Sequence, residues 1–173
     1  MVTRTIENVP LWGNDLALDF ANTLEAPSDT DHLRSYSDLV TWARRTGALP
    51  QRARPRSGDI DRARELRAAI YDVFTSRAGL DVVLAFHAEA VARGTIEDGE
   101  WVWTGRHPDR PLWPVAVAAV DLLRSDRLAR VKQCANCNWL FVDASRNGSR
   151  RWCSMGECGA QAKMRRYRAV RRG

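Results

Sequence analysis

The sequence predicts a mainly α-helical protein with a small β element, an α+β fold in which a helical N-terminal domain precedes a small cysteine-rich module. Apolar residues recur with helical spacing along most of residues 1–130, and a strand pattern with an Asp-Gly turn at residues 95–104 interrupts them. All four cysteines of the 173-residue chain lie after residue 133. We therefore predict two domains, residues 1–130 and residues 131–173.

The composition argues against several classes of protein. Hydrophobic residues make up 45% of the chain, enough for a packed core, so general disorder is not expected. No window approaches about eighteen uninterrupted apolar residues, which predicts no transmembrane helix. Residues 1–13 lack the apolar stretch of a secretion signal, so we expect a cytoplasmic protein with no membrane partner. In a reducing cytosol, four spaced cysteines favour metal binding over disulfides.

The first helix is predicted within Leu11–Glu25, where Asn14 or Asp15 can cap its N-terminus. Asp15, Asp19 and Asn22 follow at helical spacing and form a polar stripe on a mostly apolar helix. In one interpretation, Asp19 and Asn22 line a pocket for a small ligand. In the other, which we favour, both side chains bond to the backbone of neighbouring loops, as buried polar groups usually do.

Capping residues and helical periodicity predict further helices in the N-terminal domain. Ser35 or Ser37 caps the next helix, which stops at Gly47, and Asp59 begins a long one. The remaining predicted helices are Leu80–Ala92 and a helix from about Val115 to Arg124. Ser125-Asp126 either ends that last helix or caps a short one leading to Val131.

A β-hairpin is predicted between the last two long helices. Thr95–Glu97 and Glu100–Thr104 have strand character, and Asp98-Gly99 is a good turn signal between them. Trp101 and Trp103 then share one face of the second strand. Stacked aromatic rings can bind a base or a ligand ring, but we favour packing against the helices.

The cysteines follow the pattern C-x2-C, fifteen residues, C-x4-C, at positions Cys134, Cys137, Cys153 and Cys158. Two close pairs separated by a hairpin-length segment can bring four thiolates to one tetrahedral Zn²⁺. Four thiolates leave no open position for a catalytic water, so we expect a structural zinc site. With no nucleophile–base motif, phosphate loop or open metal site in the sequence, we do not expect an enzyme.

The order of elements around these cysteines predicts a treble-clef-like zinc finger with four cysteine ligands at the C-terminal end of the α+β chain. Cys134 and Cys137 form a tight knuckle, and Cys158 begins a helix that runs to about Val170. Between them we predict strand 139–142, turn 146–149 and returning strand 150–152.

Charge is distributed unevenly between the two predicted domains. The overall net charge is +6, while residues 131–173 carry +8 and residues 1–130 carry −2. A basic segment on a near-neutral body indicates a polyanionic partner, although it could also be a merely soluble terminus. The predicted nucleic-acid-binding residues are Arg146, Asn147, Arg150, Arg151, Lys163, Arg165, Arg166 and Arg168. Met164 and Tyr167 are expected to pack the last helix against Trp139 or Phe141.

The cysteine-rich segment resembles the CGNR zinc-finger family. The shared text is C-x-x-C-x-W-L-F-V-D-A-S-R-N-G-S-R-R-W-C-S-M-x-x-C-G-x-x-A-K-x-R-R. The N-terminal text L-W-G-N-D-L-A-L-D-F-A-N-T-L resembles the ABATE domain, which precedes this finger and is described as a stress-induced transcription regulator. The resemblance implies zinc ligands at the four cysteines and a DNA-binding role. The family's naming tetrapeptide reads Cys158-Gly159-Ala160-Gln161 here, without its Asn and Arg.

Two functional hypotheses follow from these features. In the first, the protein is a DNA-binding transcription regulator whose helical domain senses a small-molecule effector or forms a homodimer. In the second, zinc only holds the shape of a module that binds protein or RNA. Salt dependence distinguishes them, because phosphate-driven binding weakens as salt rises.

Overall fold

Short antiparallel strand pairs lie between six α-helices in the computed structural model, which describes residues 4–25 and 28–171. The helices are α1 (Leu16–Ala21), α2 (Tyr36–Arg45), α3 (Ile60–Thr75), α4 (Leu80–Arg93), α5 (Trp113–Arg124) and α6 (Ala160–Val170). The strands are β1 (Leu24–Glu25), β2 (Thr30–Asp31), β3 (Thr95–Glu97), β4 (Glu100–Val102), β5 (Val131–Gln133) and β6 (Leu140–Val142). They pair in sequence as three two-stranded sheets. The predicted α+β class is confirmed.

Local signals in the sequence explain where several elements begin and end. Ser35 caps α2 through a capping box, since its Oγ accepts from Asp38 N at 3.2 Å and Asp38 Oδ2 accepts from Ser35 N at 2.8 Å. Gly47 follows α2 with φ +81°, and Asp59 caps α3. The turn between β3 and β4 is Asp98-Gly99, where both residues have positive φ as a two-residue hairpin requires.

The first helix is much shorter than the predicted segment Leu11–Glu25. It begins after Asp15, whose Oδ1 accepts from Ala17 N at 3.0 Å, and ends at Ala21. Asn22 is its C-cap, and the chain then enters β1. The helix closes here because the N–H and the hydroxyl of Thr23 both donate to Phe20 O, at 3.1 and 2.7 Å, in a turn tighter than the α-helical one. The prediction of a continuous helix to residue 25 is therefore wrong.

The main hydrophobic core joins the helical body to the cysteine-rich segment. Phe20 and Trp42 pack with ring centroids 5.0 Å apart in the body, and Phe141 of β6 is fully buried in the same cluster. Three of the four cysteines also belong to this cluster of buried residues. The division at residue 130 stays a prediction, but the core itself continues across it.

A smaller hydrophobic cluster lies apart from the main core. It consists of Ala90, Trp103, Trp113 and Val117, with Trp101 packed against it. None of the helices in the described residues combines the length and apolar character needed to cross a membrane.

Candidate metal centre and nucleic-acid interface

The four cysteine sulfurs meet at one point of the structure. All four Sγ atoms lie within 4.8 Å of one another, with Cys137–Cys153 at 3.5 Å and Cys153–Cys158 at 3.6 Å. Zinc–sulfur bonds of about 2.3 Å in a tetrahedron place the sulfurs roughly 3.8 Å apart. The donor set of four cysteine sulfurs therefore fits Zn²⁺.

Backbone geometry positions the first pair of ligands directly after β5. Cys134 N donates to Trp139 O at 2.8 Å, and Asn138 N donates to Cys134 O at 3.1 Å. Asn138 has φ +62°, a left-handed conformation that Asn tolerates better than most residues. These bonds close the knuckle, so Cys134 and Cys137 face the same point.

The second pair of ligands lies before and within a π-helical turn, Met155–Gly159, with Cys153 two residues ahead of it. Ser154 caps this turn, because its Oγ accepts from Glu157 N at 3.3 Å and its carbonyl accepts from Gly159 N at 3.0 Å. Cys158 lies within this turn, and α6 begins two residues later. The last ligand is thus held in the turn that leads into the helix.

The predicted hairpin is only half correct. A strand forms at residues 140–142, but its partner is β5, with Val131 opposite Val142. Residues 150–152 are not a strand and are held by isolated bonds, such as Ala135 N to Arg151 O at 3.1 Å. β5 pairs with one edge of β6, and Gly13–Asn22 occupies the other, so no edge of β6 is left for residues 150–152.

Without a metal, the sulfur-to-sulfur contacts and burial give the cysteines of the cluster different pKa values. The hydrogen bond from Cys153 lowers the pKa of Cys137 to about 6, and that same bond raises the pKa of Cys153. Burial raises the pKa of Cys158 to about 12. A bound Zn²⁺ supplies the positive charge that allows all four sulfurs to be thiolates.

The segment Gly13–Asn22 contacts the edge of β6 that faces away from β5. Val142 N donates to Gly13 O at 2.8 Å, and Asn14 Nδ2 donates to Val142 O at 3.0 Å. The Asn22 amide pairs with Leu140 in both directions, since Nδ2 donates to its carbonyl and Oδ1 accepts from its N–H, each at 2.8 Å. The edge of β6 opposite β5 is therefore occupied by the region Gly13–Asn22.

These contacts also account for the two residues that we considered for a ligand pocket. Asn22 is 1% exposed and bonded to β6, and Asp19 Oδ1 accepts from Gly13 N at 2.8 Å. Neither side chain borders the two cavities described below. The contacts are those of the backbone-bonding interpretation. Burial raises the pKa of Asp19 to about 7.

Asp143, which sequence reasoning did not single out, organises the turn that carries the predicted basic residues. Its Oδ1 accepts from the N–H and the hydroxyl of Ser145, at 2.9 and 2.6 Å, and its Oδ2 accepts from Arg150 N and Lys132 Nζ, at 2.9 and 2.8 Å. Burial opposes ionisation, but these donors together hold the pKa of Asp143 well below its usual range. The Asp-x-Ser pattern, typical of Asx turns, is the sequence signal that could have revealed it.

Arg150 is an internal residue rather than a free cation. Its Nε donates to Trp152 O at 3.0 Å, its Nη2 donates to Cys153 O, and its guanidinium lies 4.9 Å from the Phe141 ring centroid. These bonds hold the backbone beside a zinc ligand. The placement of Arg150 on the nucleic-acid surface is therefore corrected, because its donors face inward.

Helix α6 has no buried residue, and the predicted packing of its apolar side chains is wrong. Met164 and Tyr167 are 50% and 53% exposed. Their expected partners already face the body. The ring centroids of Trp139 and Trp12 lie 5.8 Å apart, and Trp139 Nε1 donates to Leu24 O at 3.2 Å. Phe141 lies in the main core.

The predicted basic residues of α6 fall into two groups. Arg165 and Arg168 border a cleft of about 1230 Å³ that also contains Arg4 from the N-terminal segment. Arg165 donates to Asn136 Oδ1, and the Asn136 amide in turn donates to Gln161 Oε1 at 3.0 Å, so Asn136 joins the knuckle to the helix. Helical spacing places Lys163 and Arg166 on the other side of α6.

Several of the predicted residues are exposed cations with no ion pair among the residues that the structure describes. They are Arg146, Arg151, Lys163, Arg166 and Arg168. Arg151 lies 5.4 Å from the ring centroid of Trp152, and Asn147 is exposed on the turn beside Arg146. The exposed residues thus come from two segments, the 146–151 turn and α6.

Two family models match the chain. Residues 14–126 match the ABATE family, described as "Putative stress-induced transcription regulator", and residues 130–171 match the CGNR zinc finger. The two matches confirm the arrangement expected from the sequence motifs. No curated protein matches the chain.

Proposed function

The chain belongs to the ABATE family and ends in a CGNR zinc finger, and we propose that it is a transcription regulator whose finger binds DNA. In this proposal the helical body is the sensing or dimerising part. The observation that carries the proposal is the set of exposed, unpaired cations on the finger's turn and last helix. Cations that have no internal partner are available to phosphate oxygens.

The shape of the finger favours contact with a duplex. Helix α6 has eleven residues, roughly 16 Å of helix, and every side chain on it except Ala162 is exposed. A helix presented in this way can enter a major groove about 12 Å wide. Asp143 and its donors hold the 146–151 turn in place, so its arginines need little further ordering to meet phosphates.

Reading of base edges would depend on few side chains. Asn147 is exposed on the turn, and Gln161 keeps its Nε2 donors while its Oε1 accepts from Asn136. Asn and Gln can form paired hydrogen bonds to adenine. Phosphate contact is therefore expected to contribute more to affinity than base readout.

The test is fluorescence anisotropy with zinc-loaded protein and random-sequence duplexes between about 50 and 200 mM salt. Five phosphate contacts predict a slope of log K against log salt of roughly −4.5. Lys163→Ala and Arg166→Ala should each make that slope shallower by about 1. Arg52→Ala, an exposed arginine far from the finger in sequence, is the matched control. Absence of duplex binding at the lowest salt would overturn the proposal.

A role in protein contact is favoured by a different observation on the same helix. Met164, Tyr167 and Val170 are exposed on α6, with exposures from 50% to 75%. Apolar side chains in that position suit a partner's hydrophobic surface. A partner complex that persists at high salt and is lost on Tyr167→Ser, but not on Arg166→Ala, would favour this second function.

A further inference from the structure

A second cavity, of about 470 Å³, lies in the helical body and shares no lining residue with the cysteine cluster. Its walls are the connection after α2, strand β4 with the residues that follow it, and one side of α5. The volume falls within the range of small-molecule sites, about 300–1,000 Å³.

An ordered pair of indole rings forms one wall. Trp101 and Trp103 stack with ring centroids 5.8 Å apart and an interplanar angle of 13°. Trp103 Nε1 donates to Ala90 O at 2.8 Å, which fixes the inner ring. Gly94 lies against both rings, since a Cβ there would come within 2.8 Å of each. The pair is therefore held in place before any ligand arrives, with Trp101 half-buried at the cavity surface.

The charges around the cavity favour a positive ligand. Glu100 and Asp121 both line it, both are exposed, and neither has an ion pair within the described ranges 4–25 and 28–171. Arg110 also lines the cavity and keeps its charge while its Nη1 donates to Gly105 O at 2.8 Å, so with the two carboxylates the lining carries a net charge of −1. Indole faces attract cations, and carboxylates beside them add to that attraction.

We propose that this cavity binds an aromatic organic cation. The ring of the ligand lies against Trp101, and its positive charge lies near Glu100 and Asp121. Pro50 and Val117 provide apolar contact on the opposite walls. This inference rests on the sensing role proposed for the helical body and names its ligand class, and it can be tested without any DNA binding by the finger.

The test is isothermal titration calorimetry of the full chain with benzyltrimethylammonium, compared with benzenesulfonate as an anion of similar size. We expect the cation to bind at least about tenfold more tightly than the anion. Trp101→Ala should weaken binding of the cation at least about tenfold. Trp101→Phe, which keeps an aromatic face, should retain part of the affinity and guards against loss through misfolding. The double change Glu100→Gln with Asp121→Asn should weaken binding about tenfold as well.

Glu97→Gln is the matched control, because Glu97 is an exposed carboxylate on the neighbouring strand that does not line the cavity. It should leave the affinity unchanged. Equal affinity for the cation and the anion, no measurable binding of the cation, or full affinity in Trp101→Ala would each overturn the proposal.

Discussion

The two halves of the finger are built in different ways. The first half, residues 131–142, is packed into the body: Phe141 is fully buried, and the free edge of β6 is bonded to Gly13, Asn14 and Asn22. The second half, residues 143–171, ends in a helix with no buried residue. Each half supplies two cysteines to the same site.

This difference separates two sources of stability within one small module. The hydrophobic core and the hydrogen bonds of the body hold the first half, so it does not depend on zinc alone. The second half is held by Cys153 and Cys158 and by polar contacts with the first half, such as Ala135 N to Arg151 O and Lys132 Nζ to Asp143 Oδ2. Structural zinc sites contribute on the order of 10 kcal/mol of folding free energy, and here most of that should go to the half with no core of its own.

The largest expected effect is that of metal removal. Chelation, or the change Cys158→Ser, should unfold residues 160–170 while β5 and β6 keep their hydrogen bonds to the body. Hydrogen exchange read by mass spectrometry measures both halves in one experiment. Equal loss of protection in β6 and α6 would show that the two halves are not independent.

The next prediction removes a contact of the first half, the pair of hydrogen bonds between Asn22 and Leu140. Asn22→Ala leaves the N–H and the carbonyl of Leu140 without partners in a buried position, so we expect a loss of about 2–4 kcal/mol in the free energy of unfolding. Urea denaturation with zinc bound measures it. Asn147→Ala, at an exposed asparagine of the turn, is the control and should change stability by less than about 0.5 kcal/mol. If Asn22→Ala also lowered the free energy of unfolding by less than about 0.5 kcal/mol, the contact with Leu140 would not be important for stability.

The third prediction concerns ionisation of Asp19, which accepts from Gly13 N in the segment that bonds to β6. Its pKa is raised from the ordinary 3.8 to about 7, so the folded state keeps a proton that the unfolded state has lost between these pH values. The free energy of unfolding should therefore fall as pH rises from about 4 to about 7, by up to about 4 kcal/mol from this group.

Asp19→Asn removes the charge and keeps the oxygen that accepts from Gly13 N. We expect this variant to be more stable than the wild type at pH 8 and to lose most of that difference by pH 4. Denaturation at a series of pH values checks both. A stability difference that does not change with pH would mean that Asp19 is not protonated in the folded protein.

The smallest expected effects are those of substitutions at two adjacent arginines, Arg150 and Arg151. Arg150→Ala removes bonds to the backbone beside Cys153 and should cost about 1–3 kcal/mol of stability. Arg151→Ala should change stability by less than about 0.5 kcal/mol but make the salt slope of DNA binding shallower by about 1. Denaturation and anisotropy together assign each residue to its role. If Arg150→Ala and Arg151→Ala changed stability and the salt slope of DNA binding to the same extent, the distinction between an internal and an exposed arginine would be wrong.

Signals that act within a few residues could be read from the sequence. Ser35 and Asp59 cap their helices as predicted, Asp98-Gly99 forms the predicted turn, and the four cysteines that their spacing predicts as zinc ligands meet at one point. In each case the residue types act on their own backbone or on one metal ion. No knowledge of the rest of the fold is needed to recognise them.

Only the tertiary structure decided which segments meet. Asn22 bonds to Leu140, 118 residues away, and this contact occupies an edge of β6. Arg150 carries the same charge as Arg151, yet its surroundings make it structural. Apolar side chains on α6 stay exposed because the body already covers the strands they were expected to meet. These outcomes depend on competition between distant partners, which the local sequence of each segment does not contain.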